Sequence, residues 1–163
     1  MSASEADGYE TDTVVRLETN LDDCPAEVLG AAMEKLLAAG ALDVWFTPIQ
    51  MKKHRPGVML SVLCEAAVAA QCANLIFCET TAFGLRKDEV IRLKLARRFE
   101  TVLTRFGEVT VKLGLKNGVI VQVAPEFESC RAASERTGEP LREIYAAAQR
   151  EFHARAAAET KPA

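Results

Sequence analysis

Two short stretches of this 163-residue chain gather side chains able to do chemistry. The first, Glu18-Thr19-Asn20-Leu21-Asp22-Asp23, supplies hard oxygen donors at Glu18, Asn20, Asp22 and Asp23. Mg2+ and Mn2+ are held by one or two carboxylates, with phosphate oxygens and water completing the shell, so the stretch has the donors of such a site. The second, Gln50-Met51-Lys52-Lys53-His54-Arg55-Pro56-Gly57, places Lys52, Lys53 and Arg55 in a bend closed by Pro56 and Gly57. Arg brings a planar donor fork and Lys a mobile point charge, which suits an anion of several charges. Cations beside carboxylates form the layout expected of a metal–polyphosphate site. Each stretch also has a plainer reading. The bend can be a solvated hairpin tip. Asp23 can cap a helix, Asp22 can answer its dipole, and Asn20 can sit in a turn.

Other candidates carry less. Thr80, Thr81 and Arg86 offer hydroxyl and guanidinium contacts to a ligand, although threonine is also an ordinary strand former. Cys24 and Cys130 are soft donors near acidic segments, and His54 can titrate against phosphate in the basic bend. Structural thiols are usually buried and inert. Arg92, Lys94, Arg97 and Arg98 make a basic strand face, which reads as solvated or as a subunit contact. The sequence contains no Walker loop, no G-x-G-x-x-G and no nucleophile elbow.

The elements that must position these residues follow from periodicity. Val14 to Leu21 alternates with period two, a half-buried strand with Glu18, Asn20 and Asp22 on one face. Pro25 opens a helix whose stripe is Val28, Leu29, Ala32, Met33, Leu36 and Leu37, and Gly40 ends it. Leu42 to Met51 and Gly57 to Cys64 read as strands joined by the basic bend. An Ala-rich helix spans Glu65 to Phe77, and Glu79 to Arg86 reads as a short extended piece with a Gly turn. Strand, helix, strand, strand, helix, strand is the ferredoxin-like βαββαβ pattern. Beyond it, Glu89 to Phe106 alternates at length, Gly107 turns the chain, and Val109 to Leu115 pairs back. Asn117-Gly118 signals a further hairpin turn. Helices are predicted at Ser129 to Arg136 and from Leu141 to about Ala154. The predicted fold class is α+β: a ferredoxin-like half followed by a long β-hairpin and C-terminal helices. The expected organisation is a disordered leader (1–13), a ferredoxin-like subdomain (14–88), a hairpin-plus-helices subdomain (89–155) and a frayed tail (156–163).

Composition bounds the function. A net charge of −3, with 26% charged and 49% hydrophobic residues, gives no basis for non-specific nucleic-acid binding. No apolar run is long enough to span a bilayer and no signal pattern opens the chain, so a cytoplasmic protein without a membrane role is expected. The 5 cysteines are odd in number and lack C-x-x-C spacing, which argues against a disulfide framework. Long alternating edges around Ile91 to Leu103 and Val109 to Val123 call for cover, and a homo-oligomer is expected.

Taken together and in order, several motifs resemble the C-terminal domain of the LarC family. They are Glu18 to Asp23, Thr47 to Lys53 with Arg55-Pro56-Gly57, Glu79-Thr80-Thr81 before Gly84 and Arg86, and Pro125 to Glu128 with Cys130. The resemblance covers roughly Val14 to Arg150. This family comprises the nickel-insertion proteins, cyclometallases of the lyase class, of nickel-pincer cofactor biosynthesis. The resemblance implies Ni2+ insertion into pyridinium-3,5-bisthiocarboxylic acid mononucleotide, whose nickel-bearing product is the cofactor of lactate racemase, with CTP and Mn2+ or Mg2+. It also implies that this chain is the CTP-binding part. On that basis Lys52, Lys53, Arg55, Thr80, Thr81 and Arg86 would hold the nucleotide. Glu18, Asn20, Asp22 and Asp23 would hold its divalent ion. Three departures accompany the likeness. The long N-terminal domain of family members is not in this sequence, which reads either as a separately encoded or excised half, with a separate nickel-binding partner, or as a truncated descendant. Cys24 stands where methionine is usual, and His54 where asparagine is frequent. The alternative reading is a non-catalytic nucleotide-binding regulatory or oligomerisation module.

Overall fold

Leu17 and Leu21 on one side of a strand, with Glu18 and Asn20 on the other, set how the first half of the molecule packs. The structure, a computed structural model, describes residues 8–159. Two compact units divide it, one of residues 11–92, the other of residues from Leu93 onward together with the segment ending at Glu10. In the first unit β1 (Glu10–Leu21), α1 (Ala26–Ala38), β2 (Ala41–Met51), β3 (Arg55–Cys64), α2 (Ala69–Glu79) and β4 (Arg86–Lys94) follow one another. The sheet order is β2-β3-β1-β4, with β1 and β2 both antiparallel to β3. That is the ferredoxin-like arrangement.

Register decides which residues share a face. Leu17 lies opposite Val62, and Leu60 opposite Phe46. These face the helices and pack with Leu29, Leu36, Cys72 and Ile76 in one core. Each such large side chain, fully buried, stabilises by about 1.5–3 kcal/mol. On the helix-free face Glu18 lies opposite Ser61, itself opposite Trp45, and Asn20 lies opposite Met59. Val28 and Leu37, placed by periodicity in the stripe of α1, are exposed at its margins.

In the second unit β5 (Ala96–Thr104), β6 (Gly107–Lys116) and β7 (Val119–Pro125) form an antiparallel meander, followed by α3 (Phe127–Thr137) and α4 (Leu141–Glu159). Asn117 and Gly118 turn the β6–β7 hairpin, both with positive φ (51° and 78°), as an Asn-Gly turn requires. Val102, Val109, Val111 and Leu113 pack beneath Cys130, Ala133, Ile144, Ala148 and Phe152.

The structure differs from the sequence reading at definite places. The fourth strand of the first sheet is Arg86–Lys94, not the run from Glu79 to Arg86. Glu79 still belongs to α2, and Thr80 ends that helix with its own hydroxyl. Its Oγ1 donates to the Ile76 carbonyl (2.6 Å) and accepts from the Ala82 N–H (3.2 Å). The long alternation from Glu89 to Phe106 breaks at Leu95, and its halves enter different sheets, β4 and β5. β1 begins at Glu10, upstream of Val14. α4 continues past Arg155 to Glu159. The remainder of the expected leader, residues 1–7, and of the expected tail, residues 160–163, lies outside the described residues.

No helix among the described residues is long and apolar enough to cross a membrane. Cys64 and Cys72 are buried in the first core and Cys130 in the second, Cys78 is exposed, and Cys24 is half-buried. Burial, followed by the neighbouring Cys72, pushes the Cys64 thiol up to about 11.

Candidate functional site

The end of β1, the start of β4 and the tip of the β2–β3 hairpin surround a cleft of about 400 Å³ in the first unit. Its lining includes Asn20, Asp22, Asp23, Lys52, Thr81 and Arg86. Both oxygen donors and cations named from the sequence thus meet in one cavity. Asp23 is not a helix cap. The N-cap of α1 is Pro25, with no side-chain cap bond, and Asp23 Oδ1 instead accepts the hydroxyl hydrogen of Thr81. The capping alternative for Asp23 is therefore excluded, and its carboxylate faces the cleft.

Asp22, Asn20 and Arg86 of the cleft are engaged in ion pairs or hydrogen bonds. Arg55 Nη1 donates to Asp22 Oδ2 at 3.1 Å. Arg86 Nη2 donates to Asn20 Oδ1 at 2.8 Å, and its Nε lies 3.7 Å from Glu18 Oε2. Such pairs at a partly exposed rim contribute about 0–1 kcal/mol each. A ligand carrying both charges, a cation and a phosphate chain, can therefore displace them at little cost.

Glu18 is separated from this group. It is largely covered, with Arg16 Nε at 3.5 Å, the Arg86 guanidinium at 3.7 Å and the hydroxyl of fully buried Ser61 donating to it at 3.4 Å. Arg16 continues the row to Asp88 at 3.3 Å. Lys53, Arg55 and Thr80 do not line the cleft, and Arg55 meets it only through Asp22. Thr80 is occupied in ending α2. Lys53 is exposed at the hairpin tip, where Lys53 and His54 both have positive φ (61° and 57°). Consecutive non-glycine residues in that region are strained, and asparagine tolerates it best. Gly57 lets β3 approach β1: a Cβ there would stand 2.6 Å from the Leu21 carbonyl oxygen. Cys24 lines a neighbouring pocket with Asp22, Pro56 and Gly57. Cys130 is sealed in the other unit's core, where burial raises its thiol pKa.

A family model described as nickel insertion protein matches residues 1–145. The chain belongs to that family. Among curated members, a putative nickel insertion protein of Pelobacter propionicus is 47% identical over 138 residues, covering 85% of this chain and 35% of the relative. The pyridinium-3,5-bisthiocarboxylic acid mononucleotide nickel insertion protein of Thermotoga sp. (strain RQ2) is 41% identical, covering 82% of this chain and 33% of its own length. This chain spans about a third of the curated relatives it matches. Among solved structures, LarC2 is described as the C-terminal domain of a cyclometallase involved in synthesis of the NPN cofactor of lactate racemase. Its apo form superposes with a TM-score of 0.83 at 39% identity, covering 88% of this chain and 99% of that one. Protein MK0293 from Methanopyrus kandleri superposes with a TM-score of 0.61 at 34% identity, covering 83% of this chain and 86% of that one.

Sequence reasoning missed two residues that line the cleft and one that lies beside it. Thr19, buried in β1, donates from Oγ1 to the Gly84 carbonyl at 2.7 Å and so fixes the loop after α2. Ser61 offers no signal in sequence, because only the register places it under Glu18. Phe83 lines the cleft although fully exposed. A single aromatic beside a glycine turn was its only trace, and reading that run as a strand hid it.

Proposed function

We propose that this chain is the nucleotide-handling part of a CTP-dependent insertion of Ni2+ into pyridinium-3,5-bisthiocarboxylic acid mononucleotide. The observation that carries the reading is the cleft lined by Asn20, Asp22, Asp23, Lys52 and Arg86, with Arg55 bonded to Asp22. The choice of CTP and of Mn2+ or Mg2+ comes from the family resemblance. The residues fit such an ion. Among the described residues no cluster of three or more His, Cys, Asp or Glu side chains could cage a metal by itself. Two carboxylates and an amide at one wall instead match an ion that takes its other ligands from phosphate and water. Asp22, Asp23 and Asn20 would hold it, and when bound it would neutralise charge on the phosphate chain. Lys52 and Arg55 orient the phosphates, and Arg86 closes the opposite wall. Completing nickel insertion draws on the remaining length of the relatives or on a separate nickel-binding partner. A homo-oligomer belongs to the same reading, because Ile91, Leu93, Phe99 and Leu103 are exposed along β4 and β5.

Calorimetric titration with CTP, in Mn2+ and in chelator, tests this. Affinity is expected to be about tenfold or more higher with the ion, since carboxylate and phosphate otherwise repel. Asp22→Asn should abolish most of that dependence and, by freeing Arg55, bind CTP more tightly than wild type in chelator. Equal affinity with and without the ion in wild type would show these carboxylates to be surface only.

A further inference from the structure

Phe83 is the most exposed large apolar residue described, at 103% relative exposure, and it lines the cleft beside Lys52, Thr81, Gly84 and Arg86. Its neighbours explain why it stays outside. Ala82 and Leu85 pack against the first core. The Ala82 N–H is held by Thr80 Oγ1 at 3.2 Å, and the Gly84 carbonyl by Thr19 Oγ1 at 2.7 Å. Thr81 is tied to Asp23. The residues on both sides of Phe83 are therefore anchored to β1 or to the core, which fixes the backbone that carries the solvent-exposed ring at the cleft wall.

We propose that Phe83 is the stacking platform for the heteroaromatic ring of a phosphorylated ligand whose phosphates lie on Lys52, Arg55 and Arg86. This rests on the reading of the cleft as a phosphate site. An aromatic face displayed next to a cationic groove is the arrangement by which proteins hold a base and its phosphates together. Stacking of this kind tolerates any flat ring, because every base has a π-face. Phe83 thus supplies affinity for a ring without choosing cytosine. The ring has two possible sources, the base of a nucleoside triphosphate or the pyridinium of a mononucleotide, and both share the chemistry of a flat ring bearing phosphate.

The test compares wild type, Phe83→Ala and Phe83→Trp in titrations with CTP, nicotinic acid mononucleotide and inorganic tripolyphosphate, all with Mn2+. Phe83→Ala is expected to weaken a ring-bearing ligand roughly tenfold while leaving tripolyphosphate unchanged, and Phe83→Trp should keep the ring-bearing affinity. A loss confined to CTP identifies the base as the ring. A loss confined to nicotinic acid mononucleotide identifies the pyridinium. Equal affinities in wild type and Phe83→Ala overturn the proposal, as does an equal loss for tripolyphosphate, which would mean that Phe83 acts through the loop. Failure of wild type to bind any of the three ligands would instead sink the phosphate-site reading itself.

Discussion

The two sheets of this molecule are covered in the same way and differ on the other side. Each places alternate residues beneath two helices, Leu17, Leu60 and Val62 in one and Val102, Val109 and Val111 in the other. On the helix-free face of the first sheet, Asp88, Arg16, Glu18, Arg86 and Asn20 form a continuous polar row that ends at the cleft. The corresponding face of the second sheet presents Phe99 and Leu103, both exposed, with Lys112 and Thr110 opposite Phe99 and Thr101 in register. The covered faces carry the two cores, and the uncovered faces differ in polarity. A core pattern alone would not distinguish the two units.

Charge removal breaks this contrast most strongly. Lys52→Ala with Arg55→Ala should cost about 1.5–3 kcal/mol for each charge-assisted hydrogen bond lost, so calorimetric CTP affinity should fall roughly a hundredfold or more. Arg97→Ala with Arg98→Ala removes the same formal charge from the second sheet and should leave affinity within about twofold. A similar loss in both double variants would mean that net charge, not the cleft, binds the nucleotide.

A smaller effect is expected from one glycine in each sheet. A Cβ at Gly57 meets the backbone oxygen of Leu21 at 2.6 Å, whereas at Gly114 the nearest atom is the end of the Leu95 side chain at 2.7 Å. Backbone cannot yield cheaply, and a leucine rotamer can. Gly57→Ala should therefore lower stability by about 1–3 kcal/mol in urea denaturation, and Gly114→Ala by less. The reverse order would show that β1 and β3 are not held as closely as described.

Least disturbing is Glu18→Gln. It keeps the shape of the side chain but removes the charge that Arg86 and Arg16 share, and it should weaken CTP binding by about 0.5–1 kcal/mol through a looser Arg86. Its effect should vanish in an Arg86→Ala background. A loss that persists there would make Glu18 a direct ligand of the metal, as its place on the strand first suggests.

Legibility followed the same divide. Strand alternation, the Pro25 helix start and the Asn117-Gly118 turn are local, so the ferredoxin-like order and the second sheet's hairpins could be read directly. The acidic and basic stretches were also visible, since each is contiguous. What could not be read depends on register or on competing hydrogen bonds. Ser61 meets Glu18 only because β1 and β3 pair as they do. Thr80 ends α2 through its hydroxyl, which turned an expected strand into the loop that carries Phe83. The break at Leu95 interrupts an alternation whose two halves look alike, and no residue type marks it.

The placement of the cysteines lets the chain record its own opening. Cys78 lies at the surface, while Cys64 and Cys72 are sealed in one core and Cys130 in the other. A thiol-directed reagent meets Cys78 in the folded chain. It reaches the sealed thiols only when their own core opens, and the raised pKa of Cys64 keeps that thiol unreactive until then. Peptide-resolved labelling in rising denaturant therefore dates the loss of each core separately, with no probe added to the sequence.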